Sequence, residues 1–327
     1  MVNIHDVARK AQVSVATVSR VLNKSSAVSF STKIRVEQAI TELNYEPSTL
    51  GRNLRKLESR LLLVLIPSIS NPFYTDVIKG IEDTAINLDY NILLCQTNSN
   101  PKRESIYFNL IKNHLADGII SMDPTVNKRN LMDLAEKHPI IQCSEYDIDG
   151  SIAYTTINNE LAAYHAIRYL IKIGHKKIAL INSDEKFLYA RERRQGYERA
   201  LKEFGIELNL SWVYHAESLG FEGGQQAMRQ LLNHPNRPTA VFAVSDILAI
   251  GALNEIHTNG LHIPNDIALV GFDNISFSTM THPTLTTISQ PMFKMGCIAA
   301  KMIINKIQGK KVESIILDHD LVIREST

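Results

Sequence analysis

The chain has 327 residues, of which 44% are hydrophobic and 21% charged, and a net charge of +1 at neutral pH. That supplies a sizeable core and about two domains, while no apolar run reaches the ~18 residues of a helical membrane span. The charge is uneven: residues 1–60 hold ten Lys and Arg against five Asp and Glu, and the remainder holds 25 against 29, the pattern of a basic head on a faintly acidic body.

The head begins with Ile4, Val7, Ala8 and Ala11, whose spacing makes one apolar stripe of a helix. Asn3 is placed to cap it and Asp6 puts an acid in its first turn, where the helix dipole favours one. Gln12 and Val13 make a turn and Ser14 is a second N-cap. On the helix from Val15 to Asn23, residues Val15, Ala16, Ser19, Arg20 and Asn23 share one face, while Thr17, Val18, Val21 and Leu22 share the other. The second face suits packing on the first helix. The first is small and polar with one Arg, which suits a DNA major groove, where Arg binds guanine through two hydrogen bonds. Ser29 caps a third helix running to about Asn44, with Val36, Ala39, Ile40 and Leu43 inward.

After Pro47, the segment Ser48 to Arg55 is a short helix with Leu50 and Leu54 on one side. It is shorter than the ~12–15 residues a free helix needs in water, and Gly51 weakens it by about 1 kcal/mol more against Ala. It is therefore either a plain linker or a segment that folds on binding.

From Leu61 the pattern changes to buried strands alternating with helices. Strands are expected at Leu61–Ile66, Asn91–Cys95, Gly118–Ser121, Ile140–Cys143, Lys177–Ile181, Ala240–Val244 and Ile267–Phe272. Helices are expected over Tyr74–Leu88, Arg103–Leu115, Lys128–Lys137, Glu160–Ile173, Ala190–Phe204, Phe221–Asn233 and Asp246–Thr258. This is an α/β chain of parallel sheets with crossover helices, and some 265 residues of it are better divided into two lobes than placed in one sheet.

Ligands of such folds bind at strand ends. There stand Ser68 to Tyr74 with two aromatics, Ser245-Asp246, and Asp273-Asn274, while Arg191, Arg193 and Arg194 begin a helix. Acids, amides and Arg grip hydroxyl-rich ligands between aromatic walls, although Phe73 and Tyr74 equally suit plain core packing and an Arg of this trio equally suits a solvated face. Cys95, Cys143 and Cys297 are odd in number and widely spaced in apolar context, so they read as buried thiols. No nucleophile elbow, phosphate loop, dinucleotide fingerprint or metal-ligand spacing is present. No cofactor or metal is expected, and an enzyme is the weaker reading. No charged-then-apolar leader precedes the first helix, so the expected compartment is the cytoplasm.

Several stretches together resemble the LacI/GalR transcription regulators: Asp6-Val7-Ala8, Val13-Ser14, Thr17 to Asn23, Asn44 to Pro47, Asn71 to Tyr74, Arg193 to Leu201, Pro238 to Phe242, Gly251-Ala252-Leu253, Gly271 to Asn274 and Leu285 to Pro291. The likeness covers the whole chain. Gly51 to Leu54, Glu58 to Arg60 and Gly80-Ile81-Glu82 are most similar to family members that answer to cytidine and govern nucleoside catabolism. The resemblance implies a three-helix helix-turn-helix headpiece over 1–46 and a hinge helix over 47–58. It also implies an effector-binding and dimerisation domain over 59–327, built like a periplasmic binding protein from lobes of 59–157 plus 291–320 and 158–290 plus 321–327. It implies a homodimeric repressor of a pseudo-palindromic operator, with no heptad tail for a tetramer. Val15, Ala16 and Arg20 would read bases. Thr17, Ser19 and Asn23 would add base or phosphate contacts. Leu54 would wedge into the minor groove beside Arg55. The effector, a nucleoside or sugar, would meet Asn71, Phe73, Tyr74, Arg193, Ser245, Asp246 and Asp273. Asn158 stands where the family usually has an acid near the ligand, and Leu219 where purine-responsive relatives have an aromatic wall. The rival readings are a solute receptor without regulation and an enzyme acting on a sugar or nucleoside.

Overall fold

The computed structural model describes residues 2–22, 27–45, 58–123, 128–148 and 150–327. It falls into two compact units, Met1–Glu58 and Ser59–Thr327.

The small unit contains α1 (Ile4–Lys10), α2 (Val15–Leu22) and α3 (Phe30–Glu42). Asn3 and Asp6 close a reciprocal capping box on α1, which satisfies two of the free N–H groups at its start. Gln12 takes φ 53° in the turn, and Ser14 Oγ accepts from Thr17 N at 3.2 Å. Ser29 caps α3 through Thr32 N. Val7, Ala8, Ala11, Val18, Val21, Val36 and Ala39 form the core, which Tyr45 closes. The 3.6-residue stripes of the sequence account for all of these but Tyr45.

The large unit is two sheets in series. The first lobe contains β1 (Leu61–Ile66), α4 (Phe73–Asn87), β2 (Asn91–Gln96), α5 (Pro101–Lys112), β3 (Gly118–Ser121), α6 (Lys128–Ala135), β4 (Ile140–Cys143) and β5 (Tyr154–Ile157). The second contains α7 (Asn159–Lys172), β6 (Ile178–Asn182), α8 (Leu188–Glu203), β7 (Val213–His215), α9 (Phe221–Leu232), β8 (Ala240–Ala243), α10 (Asp246–Thr258), β9 (Ala268–Asp273) and β10 (Thr286–Ser289). The chain then returns: α11 (Met292–Ile307) packs on α4 and β4, and β11 (Ile315–Leu317) extends the first sheet beside β5. Then β12 (Asp320–Val322) pairs antiparallel with β10 in the second. The last crossing thus lies at Asp318 and His319, slightly before the boundary at 320 expected from the resemblance.

The sheet orders are β11-β5-β4-β3-β1-β2 and β12-β10-β9-β8-β6-β7, parallel except for β12. Leu62 to Ile66 are fully buried, as a parallel strand covered on both faces must be. The expected strands all form. Strands β5, β7 and β10 and the helix α11 were not read from the sequence: β5 and β10 (Thr-rich) and β7 lack the continuous apolar run that marked β3, β4 and β8. Among the described residues no helix is long and apolar enough to cross a membrane.

Candidate functional site

On α2, Ala16 and Arg20 are exposed, Val15, Thr17 and Ser19 are half-buried, and Val18 and Val21 are buried. The face carrying Val15, Ala16, Ser19 and Arg20 is thus left open by the packing of the opposite one. Thr17 Oγ1 lies 2.9 Å from Ser14 Oγ, so its hydroxyl is engaged at the helix start. Asn23, Leu54 and Arg55, with the expected hinge helix as far as residue 57, lie outside the described residues.

In the large unit the carboxyl ends of strands from both sheets surround a cavity of about 680 Å³, within the range of small-molecule sites. Asn71, Phe73, Tyr74, Arg193, Ser245 and Asp273 all line it. Asn71 Oδ1 accepts from Phe73 N at 3.0 Å and so fixes the entry to α4. Phe73 and Tyr74 meet edge to face at 5.3 Å. Burial raises the Tyr74 hydroxyl well above its ordinary value, helped by nearby Tyr189 and the acids around it, so it stays a protonated donor.

Arg193 is the most constrained of these groups. Its Nε donates to Asn159 Oδ1 at 3.0 Å, its Nη1 donates to the Val244 carbonyl and its Nη1 lies 3.7 Å from Asp273 Oδ1. The guanidinium sits 3.5 Å from the Phe272 ring centroid and 4.9 Å from that of Tyr189. Burial lowers its pKa, against the pull of Asp273, and burial raises Asp273, against the pull of Arg193. Each charge is tolerated because the other is present. Asp273 also accepts from Gln290 Nε2 at 2.7 Å.

Two expectations need correction. Asp246 does not line the cavity: its carboxylate is turned inward, accepting from Thr287 Oγ1 at 2.6 Å and Ile275 N at 2.9 Å. It holds the β9 loop that presents Asp273. Gly271 is required beside it, since a Cβ there would lie 2.2 Å from Asp246 Oδ1. Asn158 does not reach the cavity either; it caps α7 by accepting from Leu161 N at 2.9 Å. Leu219 does line it.

Sequence reasoning missed Glu145, Phe187, Tyr189, Glu217, Phe221 and Glu222, all of which line the cavity. Glu145 stands two residues past β4, so the strand-end rule had a signal there that went unused. Phe187 and Tyr189 stack at 5.7 Å just before and within the first turn of α8, but an aromatic at a helix start has no distinctive spacing. Glu217 and Glu222 flank a glycine-containing turn whose fold no local pattern fixes. Burial pushes Glu145 up to about 7, although the backbone N–H groups of Leu188 and Tyr189 hold it down.

Comparison with known proteins places these features. Residues 3–48 match the model of bacterial regulatory proteins of the lacI family, and residues 59–325 match the model of periplasmic binding proteins and the sugar binding domain of the LacI family. The HTH-type transcriptional repressor CytR of Escherichia coli strain K12 is 38% identical, over 98% of this chain and 95% of that one. Catabolite control protein A of Priestia megaterium is 35% identical, over 100% and 99%. The crystal structure of the lac repressor dimer bound to operator and the anti-inducer ONPF superposes with a TM-score of 0.91 at 26% identity, over 99% of this chain and 98% of that one.

Proposed function

The chain belongs to the LacI family of bacterial regulatory proteins, and from that premise we propose that the ligand it answers to is an unphosphorylated nucleoside. The protein is a DNA-binding transcriptional repressor with an effector-binding domain, a homodimer on operator DNA and not an enzyme. In our reading Val15, Ala16 and Arg20 read operator bases, with Thr17, Ser19 and Asn23 supporting them and Leu54 and Arg55 acting from the hinge. Asn71, Phe73, Tyr74, Arg193, Ser245 and Asp273 hold the effector, and Asp246 supports Asp273 from behind. The protein works in the cytoplasm, beside the chromosome.

The observation that carries the effector assignment is the charge balance of the cavity. Glu145, Glu217, Glu222 and Asp273 line it, and among the described residues Arg193 is the cation that faces them. Arg193 is already engaged by Asn159, Val244 and Asp273. A phosphate would add negative charge where none is left to neutralise it. A nucleoside instead offers hydroxyls to Asn71, Arg193 and Asp273 and a planar base to the aromatic walls. The likeness of Glu58 to Arg60 and of Gly80-Ile81-Glu82 to cytidine-responsive members of the family favours a nucleoside over a free sugar.

The test is calorimetric titration with cytidine, uridine, adenosine, ribose and cytidine monophosphate, paired with operator retention in a gel shift. A nucleoside should bind and alter retention, with the monophosphate at least about tenfold weaker, or 1.4 kcal/mol. Equal or tighter binding of the monophosphate would refute the assignment.

A further inference from the structure

Helix α8 has an unusual start. Its N-cap residue Phe187 makes no side-chain cap, and its first turn carries no acid. The leading N–H groups of a helix need partners from elsewhere. Here they come from the other lobe. The Glu145 carboxylate, two residues past β4, accepts from Leu188 N through Oε1 and from Tyr189 N at 3.2 Å through Oε2. The carboxylate is delivered by a tight turn: Ser144 takes φ 68°, Glu145 N donates to the Cys143 carbonyl at 2.9 Å, and Thr156 Oγ1 pins the Ser144 carbonyl at 2.7 Å.

A second bond crosses between the lobes one residue further on. Tyr146 stacks on Tyr154 of β5 at 3.9 Å, and its hydroxyl donates to Glu192 Oε1 on α8 at 3.1 Å. Glu145 of the first lobe therefore holds the first turn of α8 in the second, and Tyr146 holds Glu192 just beyond it. That turn leads directly to Arg193. Glu145 is itself only 5% exposed and forms part of the cavity wall.

We propose that Glu145 is a positioning residue for the allosteric response, a clasp from the first lobe on the N-terminus of α8 that sets lobe angle and, through it, the reach of Arg193 into the cavity. The clasp can persist only while the two lobes keep this relative orientation, because donor and acceptor belong to different lobes. An acid at a helix N-terminus is favoured by charge as well as by hydrogen bonding, so the contact is directional. Ligand in the cavity touches the side chains on both sides of it, so occupancy and clasp bias the same equilibrium. Its link to an effector rests on the nucleoside reading above; the clasp itself does not.

The test compares Glu145→Ala and Glu145→Gln with the wild type in the full chain. Hydrogen exchange, followed by mass spectrometry on peptides spanning Leu188 and Tyr189, reads the clasp without ligand. The Ala variant should speed exchange there about tenfold and leave peptides from β6 and β9 unchanged. The Gln variant, which keeps one carbonyl acceptor, should fall between it and wild type. With cytidine as the probe, at concentrations that saturate each variant, the ratio of operator affinity with and without ligand should move toward one in the Ala variant and be largely restored by Gln. Unchanged exchange in both variants would overturn the clasp, as would faster exchange throughout the chain. Faster exchange in the Ala variant with an operator ratio unchanged from wild type would overturn its allosteric role. Failure of any nucleoside to bind wild type would instead sink the effector reading, and the exchange arm would still decide the clasp.

Discussion

Arg193 and Asp273 offer the sharpest energetic test. In Arg193→Met the side chain keeps much of its bulk over Phe272, but Asp273 loses its counter-charge and keeps only Gln290. The Asn159 amide oxygen and the Val244 carbonyl also lose a donor. Breaking one side of a buried pair typically costs about 3–5 kcal/mol, because an uncompensated charge remains in a poor solvent. Each stranded acceptor adds to this, though not additively. Asp273→Asn retains an oxygen that can still accept from Gln290, but it strands the buried Arg193 guanidinium in turn, so it too should cost a few kcal/mol, about 3–5. In the double variant no charge is left buried, so the two changes together should cost less than their sum, by about 0.5–3 kcal/mol. Trp212 is the single tryptophan. It is buried in the second lobe, where its Nε1 donates to the Asn236 carbonyl at 2.9 Å, so its fluorescence in a urea titration reports the lobe that contains the pair. Costs that simply add would mean that Arg193 and Asp273 do not stabilise one another, and the account of the cavity floor would fail.

Arg20→Ala should weaken operator binding by roughly 1–3 kcal/mol and relax selectivity at one base pair; equal losses on operator and random DNA would remove its base-reading role. Glu104 is fully buried in the first lobe, and neither carboxylate oxygen has a hydrogen-bond partner among the described residues. Burial, with Asp123 nearby, pushes it from 4.5 to about 8. A carboxyl raised on folding contributes stability that is fully present below its unfolded value and is lost as pH rises through the folded one. Wild type should therefore lose ground to Glu104→Gln between about pH 4.5 and 8, by at most about 1.4 kcal/mol per pH unit. Thermal melts of both proteins at pH 5 and pH 8 check this, and an equal gap at the two pH values would contradict it.

Much of the fold was legible because the signals are local and redundant. The run Leu61 to Ile66 could hardly be anything but a strand covered on both faces, and Asn3, Ser14 and Ser29 stand at helix starts with their caps made. The cavity was legible where one rule sufficed: Asn71, Phe73 and Ser245 follow strands of parallel sheets, and Asp273 ends one. Arg193 needed the family likeness, since three arginines in four residues give no reason to bury one of them. Asp246 was misplaced for a related reason. It sits one residue past Ser245 at a strand end, and only the neighbouring loop, with Thr287 and Ile275 offering donors, decides that its carboxylate faces inward. Glu145 depends on a partner in another lobe, 43 residues away in sequence, and no periodicity encodes such a meeting.

What the structure adds to the family picture is the concentration of coupling on one helix. A ligand can shift two conformations only by binding them with different free energies, and useful coupling is of order 1–3 kcal/mol. Helix α8 is placed to supply such a difference. Its first turn is held by Glu145 of the first lobe, and Glu192 just beyond that turn by Tyr146. Its next residues present Arg193 to the cavity. Two turns from its start, Gly196 lies so near α7 that a Cβ would come within 2.1 Å of the Glu160 carbonyl. The helix is thus fixed firmly to its own lobe and held to the other by a few polar contacts around one end. Those contacts and the separation of Arg193 from Phe73 both span the two lobes, so both depend on the angle between them. Ligand that bridges Phe73 and Arg193 therefore favours the orientation in which Glu145 is engaged, and a ligand that reaches only one lobe would bind without producing a response.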